Sequence, residues 1–439
     1  MASIRPFHGI LYDSEKIPDL SLVATPPYDV ISPEMREDYY RRHENNIIRL
    51  ILGKGCEGDT DQDNPHTRAG AYLSRWLTEG VLARDPEPAL YLTSQTFDLE
   101  GRPVTRLGLL AAVRLSPFEE GVIRPHEKTF SKVKSERLAL MRQTRVNDSP
   151  VFALCPDPDQ DLFAFYEARA AGEPDRVFTD DTGQVHRMWR LGSPEDASLA
   201  ASLFADRCLV IADGHHRYET ALNFMRETEA REGSLPEDHP ARFVMIYLCS
   251  MADPGLVILP AHRMVHRLPQ GAADRFFEQA GEFFDLRVLP EKADSKEAAR
   301  EITRALAVEK DRVSMAAVFS GRAPVVLTVK DGVMDRLYGD ELPGPVRGLD
   351  VTVLARLVFM DLLSLTAGDL DDATLMHYTV QAPELVEKIR SGVHEAGFVL
   401  NPTGIQDVRQ VAEAGFTMPR KSTYFFPKAI TGLAMKGLE

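Results

Sequence analysis

Alternation of apolar and polar positions divides the chain into short strands and amphipathic helices. Ala89–Phe97 and Arg106–Leu115 alternate with the period of two that is typical of strands. The glycine-bearing stretch Asp98–Arg102 between them predicts a hairpin turn. Thr67–Glu79 instead repeats its apolar residues with helical spacing, so it predicts an amphipathic helix.

The same patterns predict most of the remaining elements. Strands are predicted at Asn46–Leu52, Ser149–Leu154, Val185–Arg190, Phe243–Ser250, Gly255–Pro260, Met315–Phe319, Pro324–Val329 and Gly397–Asn401. Helices are predicted after the Ser32-Pro33 cap and at Ser135–Val146, Gln160–Gly172, Ala197–Leu203, Ala272–Phe284, Lys296–Glu309 and Thr352–Leu363. Residues 1–30 read as irregular. Hairpins mixed with helices favour an α+β (mixed α/β) fold with mixed sheets over a regular parallel sheet.

Length predicts more than one folding region. A chain of 439 residues exceeds one typical core. We expect an N-terminal α+β region at 1–200 and a C-terminal α+β region at 201–439, the latter with a subdomain at 270–345.

Composition limits the classes of function. The net charge of −15 repels a phosphate backbone, which argues against nucleic acid as a partner but allows a small phosphorylated ligand in a basic pocket. No apolar run approaches the roughly 20 residues that a membrane helix needs, and no apolar signal core is visible, so we expect a cytoplasmic protein without membrane contact. Four widely spaced cysteines form no C-x-x-C motif, so we expect reduced thiols and no zinc site.

The run from Leu209 to Leu222, LVIADGHHRYETAL, carries the strongest signal for chemistry. Three apolar residues predict a buried strand, Asp213-Gly214 predicts a turn, and a helix follows. His215, His216 and Arg217 then lie at a helix N-terminus, where main-chain N–H groups, the helix dipole and a guanidinium attract an anion. A capped turn with a salt-bridged arginine is the structural alternative.

A second polar loop follows the apolar Val122-Ile123. Arg124, His126, Glu127 and Thr129 begin a stretch, 124–145, with seven Lys or Arg against two Glu. His126 or Glu127 is suited to act as acid or base beside phosphate-neutralising cations. The alternative is a solvated helix face with Arg–Glu pairs.

Two further segments combine charge with rigid backbone. Met418–Lys428, MPRKSTYFFPK, predicts a phosphate clamp that contains Lys421, Ser422 and Lys428 and docks on the fold, or else an aromatic plug with surface lysines. It is not a P-loop, because Arg420 replaces the second glycine.

Near the N-terminus, Thr25-Pro-Pro-Tyr28-Asp29 forms a rigid turn that presents Asp29 as a base or magnesium ligand, with Arg49 nearby in sequence. A rigid turn beside a helix cap explains the same residues. His262 and His266 have the i, i+4 spacing of a helical metal pair, but no acidic residue follows His262, so we assign no metal ligands.

Four blocks together resemble the bacterial DUF1015 family. They are PPYDVIS at 26–32, RPHEKT at 124–129, ADGHHRYETA at 212–221 and MPRKSTYFFPK at 418–428. The resemblance runs through nearly the whole chain in order. It implies serine phosphorylation with pyrophosphate as donor.

The segment from Asp213 to Arg217, with Ala221, is also similar to the Asp-Gly-x-His-Arg core of the ParB/sulfiredoxin-like superfamily, which includes partition proteins, sulfiredoxins and free-serine kinases. That resemblance, which covers about a dozen residues, implies donor-phosphate binding by Asp213, Gly214, His215, His216 and Arg217.

The leading hypothesis is a small-molecule kinase that phosphorylates free L-serine or a similar hydroxyl compound. Pyrophosphate or a nucleotide would donate, with Mg²⁺, since phosphoryl transfer depends on charge neutralisation and alignment. Lys421, Ser422 and Lys428 would assist at the phosphates. Glu127, or else Asp29 or His126, would orient or deprotonate the hydroxyl. Arg124, Thr129, Tyr28 and Arg49 would bind substrate.

Two alternatives remain at this point: a non-catalytic nucleotide-binding switch like the partition proteins, and a phosphate-ester hydrolase. The sequence leaves open the donor, the acceptor, the metal and the oligomeric state, a homo-oligomer included.

Overall fold

A computed structural model describes residues 1–127, 131–309 and 312–439. The protein is mixed α+β, as the sequence predicts. The chain forms two units. The first comprises Met1–Pro125, Thr129–Val257 and Pro427–Glu439, and the second comprises His126–Lys128 and Ile258–Phe426. The predicted division into regions 1–200 and 201–439 stays a prediction.

The strands have the following bounds in chain order: β1 Ile4–Arg5, β2 Gly9–Tyr12, β3 Leu82–Arg84, β4 Leu90–Leu99, β5 Arg102–Arg114, β6 Ile123–Pro125, β7 Val146–Asn147, β8 Val151–Cys155, β9 Arg176–Thr179, β10 Val185–Leu191, β11 Leu209–Asp213, β12 Phe243–Ser250, β13 Val257–Leu259, β14 His262–Val265, β15 Phe284–Val288, β16 Ser314–Phe319, β17 Val325–Val329, β18 Met376–Thr379, β19 Ala396–Leu400, β20 Tyr424–Phe426 and β21 Met435–Gly437.

The α-helices have these bounds: α1 Pro33–Arg42, α2 Ile48–Ile51, α3 Pro65–Thr78, α4 Ser131–Thr144, α5 Asp161–Ala170, α6 Pro194–Phe204, α7 His215–Glu232, α8 Ala272–Phe283, α9 Ser295–Val308, α10 Val333–Tyr338, α11 Gly344–Arg347, α12 Asp350–Val353, α13 Ala367–Asp371, α14 Ala382–Arg390 and α15 Ile405–Glu413. Leu354–Leu362 continues α12 as a π-helix, and Leu20–Leu22, Tyr28–Val30, Phe118–Glu120 and Pro240–Arg242 are 3₁₀ turns.

The first unit is built on a large mixed sheet. Its strand order is β6-β11-β8-β12-β5-β4-β10-β9, with β1 paired to β5. β6 runs parallel to β11 and β8 runs parallel to β12, while the other pairs are antiparallel. β8 and β12 are buried along their whole length, which explains their unbroken apolar sequences. This sheet places β11, the strand that leads into Asp213-Gly214, next to the central strands.

A smaller sheet completes the first unit. Its order is β3-β2-β21-β7, so the C-terminal strand β21 is an interior strand between two elements from the N-terminal half of the chain. Gly9 pairs with Lys436 and Ile10 pairs with both Met435 and Arg84. Partners this far apart in sequence explain why residues 1–30, predicted as irregular, in fact contain two strands.

The second unit contains a separate six-stranded sheet with its own core. The order is β15-β17-β16-β19-β14-β18, and all of its described pairs are antiparallel. β13 and β20 form an additional two-stranded ribbon. Helices α9 and α14 pack on the sheet through Ile302, Leu385 and Ile389, which share a buried cluster with Val326 and Val399. This unit therefore buries apolar surface independently of the first.

Candidate functional site

The strand-to-helix junction at Asp213–Arg217 forms as the sequence predicts. Residues 209–212 of β11 are buried, Gly214 follows with a φ of +86°, and α7 begins at His215. A Cβ atom on residue 214 would lie 2.8 Å from Arg217 Nε and 2.9 Å from Cζ. The position therefore requires glycine twice, for its left-handed backbone and for the close approach of the guanidinium.

Asp213 binds two cations at this junction. Arg217 donates to one carboxylate oxygen and to the main-chain oxygen of Pro150. Lys428 Nζ donates to the other carboxylate oxygen at 2.8 Å. The three side chains are only 10–14 % exposed. Two predicted phosphate-binding segments, from the middle and the end of the chain, thus meet at one carboxylate.

Local charge dominates the protonation of this group. Burial raises the pKa of Asp213, but Lys428 and Arg217 outweigh it and hold the pKa well below its usual range. Burial lowers the pKa of Arg217, but Asp213, Asp29 and Tyr28 outweigh that effect and raise it. The carboxylate and the guanidinium are therefore both charged near neutral pH.

Tyr28 and Asp29 belong to the same electrostatic neighbourhood. The Tyr28 ring centroid lies 4.0 Å from Arg137 Cζ, a cation–π contact. Burial raises the pKa of Tyr28, and Arg217 and Arg137 partly offset the rise. Asp29 is exposed, and its charge helps to raise the pKa of Arg217. The TPPYD turn therefore presents a solvent-accessible carboxylate within the field of Arg217.

Two members of this neighbourhood were not singled out from the sequence. Arg137 is one of the seven cations of the stretch 124–145, and no motif of the sequence contains Asp148. Arg137 also donates to the main-chain oxygen of Ile51 at 2.7 Å. Burial raises the pKa of Asp148, and Arg137 and Arg217 oppose the rise. By contrast, Arg142 of the same helix pairs with Glu227 at the surface, as the alternative reading of the basic stretch predicts.

Arg124 and Arg49 occupy distinct places in the first unit. Arg124 lies in β6, opposite Val210 of β11, and donates to the main-chain oxygen of Gly121 at 3.0 Å. β6, which leads into His126 and Glu127, therefore pairs with β11, which leads into Asp213. Arg49 donates to the main-chain oxygens of Glu44 and Tyr40, and its guanidinium carbon lies 5.8 Å from the ring centroid of Tyr72 in α3.

His126 and Glu127 belong to the second unit and contact the C-terminal motif there. His126 is buried, and its Nε2 lies 2.8 Å from Thr423 Oγ1. Glu127 accepts a hydrogen bond from the Ser422 main-chain N–H at 3.2 Å. These two predicted acid–base residues therefore hold the KSTYFFPK segment in place through described contacts.

The C-terminal motif docks on the fold, as its aromatic residues predict. Phe425 and Ser422 are buried, and Ser422 Oγ donates to the main-chain oxygen of Pro419. Lys421 has a φ of +54° and is exposed. Lys421 and Ser422 fall in the second unit, whereas Lys428 falls in the first.

Arg263 is a buried cation that the sequence analysis did not assign to this motif. It donates to the main-chain oxygens of Arg420 and Lys421. Burial lowers its pKa to about 10, with Tyr378 and Glu127 opposing the fall. Its neighbour His262 lies on strand β14 rather than on a helix, and its Nδ1 accepts from the Leu400 main-chain N–H at 3.2 Å. His262 and His266 therefore do not form a helical i, i+4 pair, and neither was assigned as a metal ligand.

Thr129, predicted to bind substrate, lies outside the described residues. Within residues 1–127, 131–309 and 312–439, no group of three or more His, Cys, Asp or Glu is arranged to hold a metal ion. In the same part of the chain, no helix is long and apolar enough to cross a membrane.

The fold and this junction define a mixed α+β protein in which Arg217 and Lys428 meet at a strand–helix turn. The chain matches the model of the family described as "Protein of unknown function (DUF1015)" over residues 4–352. It therefore belongs to the DUF1015 family. A comparison with curated proteins finds no match.

Solved structures give weak similarity. A free serine kinase in complex with AMP is 11 % identical with a TM-score of 0.34, covering 72 % of this chain and 86 % of that one. A conserved hypothetical protein from Pyrococcus furiosus is 11 % identical with a TM-score of 0.33, covering 73 % and 93 %. C-terminally truncated SbnI from Staphylococcus aureus is 8 % identical with a TM-score of 0.35, covering 75 % and 87 %.

Proposed function

We propose that this protein is a small-molecule kinase that transfers a phosphoryl group from pyrophosphate or a nucleotide to free L-serine or a similar hydroxyl compound. The observation that carries the proposal is the convergence of Arg217 and Lys428 on Asp213 at the N-terminus of an 18-residue helix. A phosphate at this helix end meets two cations and the positive end of the helix dipole.

The residues of the junction divide the work of phosphoryl transfer. Arg217 and Lys428 bind donor oxygens and neutralise charge that builds on the leaving phosphate. Asp213 is a positioning residue that fixes the direction of both cations. His215 and His216 contribute first-turn main-chain N–H groups, and Gly214 permits the turn.

The transfer step balances with residues of this chain. The serine hydroxyl oxygen forms a bond to the transferred phosphorus, while the bond from that phosphorus to the leaving phosphate oxygen breaks. The leaving phosphate takes the bonding electron pair. The hydroxyl proton passes to a carboxylate, for which we favour Asp29 because it is exposed and acts on Arg217.

The remaining predicted roles stay part of the proposal. Glu127 and His126 are the alternative acid–base pair, Lys421 and Ser422 an additional phosphate contact, and Arg124, Thr129, Tyr28 and Arg49 the substrate contacts. We also propose a relationship of the Asp213–Arg217 motif to the ParB/sulfiredoxin-like kinases. Magnesium is expected from the reaction type, but no described cluster fits it, so no step is assigned to the metal.

Phosphorus NMR of the full-length protein tests this function. The purified protein is incubated with L-serine and Mg²⁺, with pyrophosphate, ATP or ADP as donor. We expect a phosphoserine signal with one donor, and a loss of rate of about 100-fold or more in Arg217→Ala and Lys428→Met. Arg142→Gln is the control, because it removes a surface arginine that pairs with Glu227 rather than with Asp213.

The outcomes separate the three classes of function. Equal rates in all variants would show that phosphoryl transfer occurs elsewhere. Saturable nucleotide binding without product under any donor would support the non-catalytic switch. Release of phosphate from added phosphoserine without an acceptor would identify a hydrolase. Circular dichroism of Arg217→Ala, compared with the conservative Arg217→Lys, distinguishes a lost site from a lost fold.

A further inference from the structure

A basic cavity lies within the first unit, away from the Asp213–Arg217 junction. It has a volume of about 270 Å³ and is lined by Arg5, His8, Arg84 and Lys436, together with Glu439 and apolar residues that include three prolines. None of the junction residues Asp213, Arg217 and Lys428 lines it. The cavity therefore needs an explanation of its own.

Strand register brings the basic residues of this cavity together. Arg84 ends β3 opposite Ile10, and Lys436 lies in β21 opposite Gly9, so they flank β2 at neighbouring positions. Arg5 comes from β1, and its guanidinium carbon lies 3.5 Å from the Phe243 ring centroid. Arg5, Arg84 and Lys436, which are distant in sequence, therefore place their positive charges at one cavity.

The positive charge is only partly compensated. Lys436 is 3 % exposed, and its Nζ donates to the main-chain oxygens of Pro240 at 2.8 Å and Gly437 at 3.0 Å. No carboxylate in the described part of the chain forms an ion pair with Lys436 or Arg84. Glu439 carries its side-chain carboxylate 3.7 Å from Arg145.

Arg5 donates to the main-chain oxygen of Asp238 at 3.0 Å. Burial lowers the pKa of Arg5, and the negative charge of the Asp238 carboxylate opposes that fall. Burying a cation without a paired anion costs free energy. The cations that line this cavity therefore favour the binding of an anionic ligand.

We propose that this cavity binds a small metabolite through its phosphate or carboxylate group, at a site separate from the Asp213–Arg217 junction. The guanidinium groups of Arg5 and Arg84 and the ammonium of Lys436 are the donors that recognise an oxyanion. The volume admits a small metabolite rather than a polymer. This inference does not depend on the kinase function.

Protonation of Lys436 provides an independent signature of binding. Burial, and then Arg5, lowers the pKa of Lys436 to about 7. The other charged or titratable groups that face the cavity are Arg84, His8 and Glu439. An anion favours the ammonium form, so binding takes up a proton between about pH 7 and 8 and strengthens as the pH falls.

Isothermal titration calorimetry of the full-length protein tests the site with two probes. Sodium sulfate represents the tetrahedral phosphate class without titrating itself near pH 7, and sodium acetate represents the carboxylate class. Ionic strength is held constant with NaCl. Measurement in two buffers of different ionisation enthalpy gives the proton uptake. The variants are Arg84→Gln, which removes an exposed side chain, and Lys436→Met, which keeps the length of the stem.

We expect saturable binding of one anion, weakened about tenfold in both variants, with proton uptake lost in Lys436→Met. Binding should be unchanged in Arg102→Gln, which replaces an exposed arginine of the same unit outside the cavity. Binding of sulfate alone would assign the phosphate class, and binding of acetate alone the carboxylate class. Saturable binding of neither anion, or equal affinity in wild type, Arg84→Gln and Lys436→Met, would overturn the proposal.

Discussion

At the scale of single residues, Gly214 connects backbone conformation to the chemistry of the junction. Its φ of +86° turns the chain from β11 into α7, and the space where a Cβ would lie is filled by the Arg217 guanidinium. The conformation and the cation position therefore depend on one residue.

We predict that Gly214→Ala destabilises the protein and displaces Arg217. Gly183→Ala is the matched control, because Gly183 has a φ of +82° with no atom within 4 Å of the added Cβ. The control should lose about 1 kcal/mol of unfolding free energy from backbone strain alone, and Gly214→Ala should lose more. Urea unfolding measures both. Equal losses would show that Arg217 adjusts without cost.

Lys436 makes a separate prediction about pH. A lysine titrates near 10.4 in the unfolded chain, whereas burial, with help from Arg5, lowers the pKa of Lys436 to about 7 in the fold. Between these values the unfolded chain binds more protons, so the free energy of unfolding should rise with pH, by up to about 1.4 kcal/mol per pH unit.

Urea unfolding of wild type and Lys436→Met between pH 7 and 10 checks this slope. The difference between the two proteins cancels the titration of groups that they share. Parallel stability curves would mean that Lys436 keeps an ordinary pKa in the fold.

The junction residues that lie within one sequence motif could be predicted. Those that come from distant segments of the chain could not. The strand, the Gly214 turn and the helix start follow from local sequence. Lys428 was assigned to phosphate binding from its cationic segment, and the structure adds its contact with Asp213. Arg137 and Asp148 acquire their importance only from Tyr28 and Arg217, which no local pattern connects to them.

At the scale of elements, local signals placed the long strands and capped helices well. The hairpin of β4 and β5 forms with Glu100 and Gly101 at positive φ, and α1 begins after Ser32, whose side chain accepts from the Met35 N–H. Asn46–Leu52, predicted as a strand, contains the short helix α2 instead. Its apolar residues are buried, and a short buried apolar run does not distinguish strand from helix.

The C-terminal region was the least predictable part. Helices α14 and α15 were missed, although both have a well-formed apolar face. The predicted helix at Thr352–Leu363 forms, but most of it is π-helical. Such a widened turn is rare, and nothing in local propensity indicates it.

Helix α3 provides an element-scale prediction. The Asn64 side chain caps it by accepting from the His66 and Thr67 N–H groups. In return, the Thr67 hydroxyl oxygen accepts from the Asn64 N–H. Asn64→Ala should cost about 1 kcal/mol of unfolding free energy. Gln62→Ala, at an exposed site in the preceding loop, should be neutral. Thermal unfolding compares the two variants, and equal melting temperatures would contradict a stabilising cap.

At the scale of the whole molecule, the net charge predicts weak binding to nucleic acids. A chain with a charge of −15 should not bind duplex DNA at physiological salt. Fluorescence anisotropy of a labelled duplex, titrated with the protein in the presence and absence of ATP, measures this. Binding that weakens with salt would contradict the prediction and favour the partition-protein class over a kinase.

Chain order in the first unit has a consequence for synthesis. Pro427–Glu439 contains both Lys428 and the interior strand β21 of the first unit. In the sequence this segment follows Ile258–Phe426, which belongs to the second unit. A ribosome therefore synthesises Ile258–Phe426 before the smaller sheet can close or Lys428 can contact Asp213. Chains that end before Pro427 would retain Ile258–Phe426 yet lack Lys428 and β21, so the Asp213 carboxylate would keep only one of its two cations.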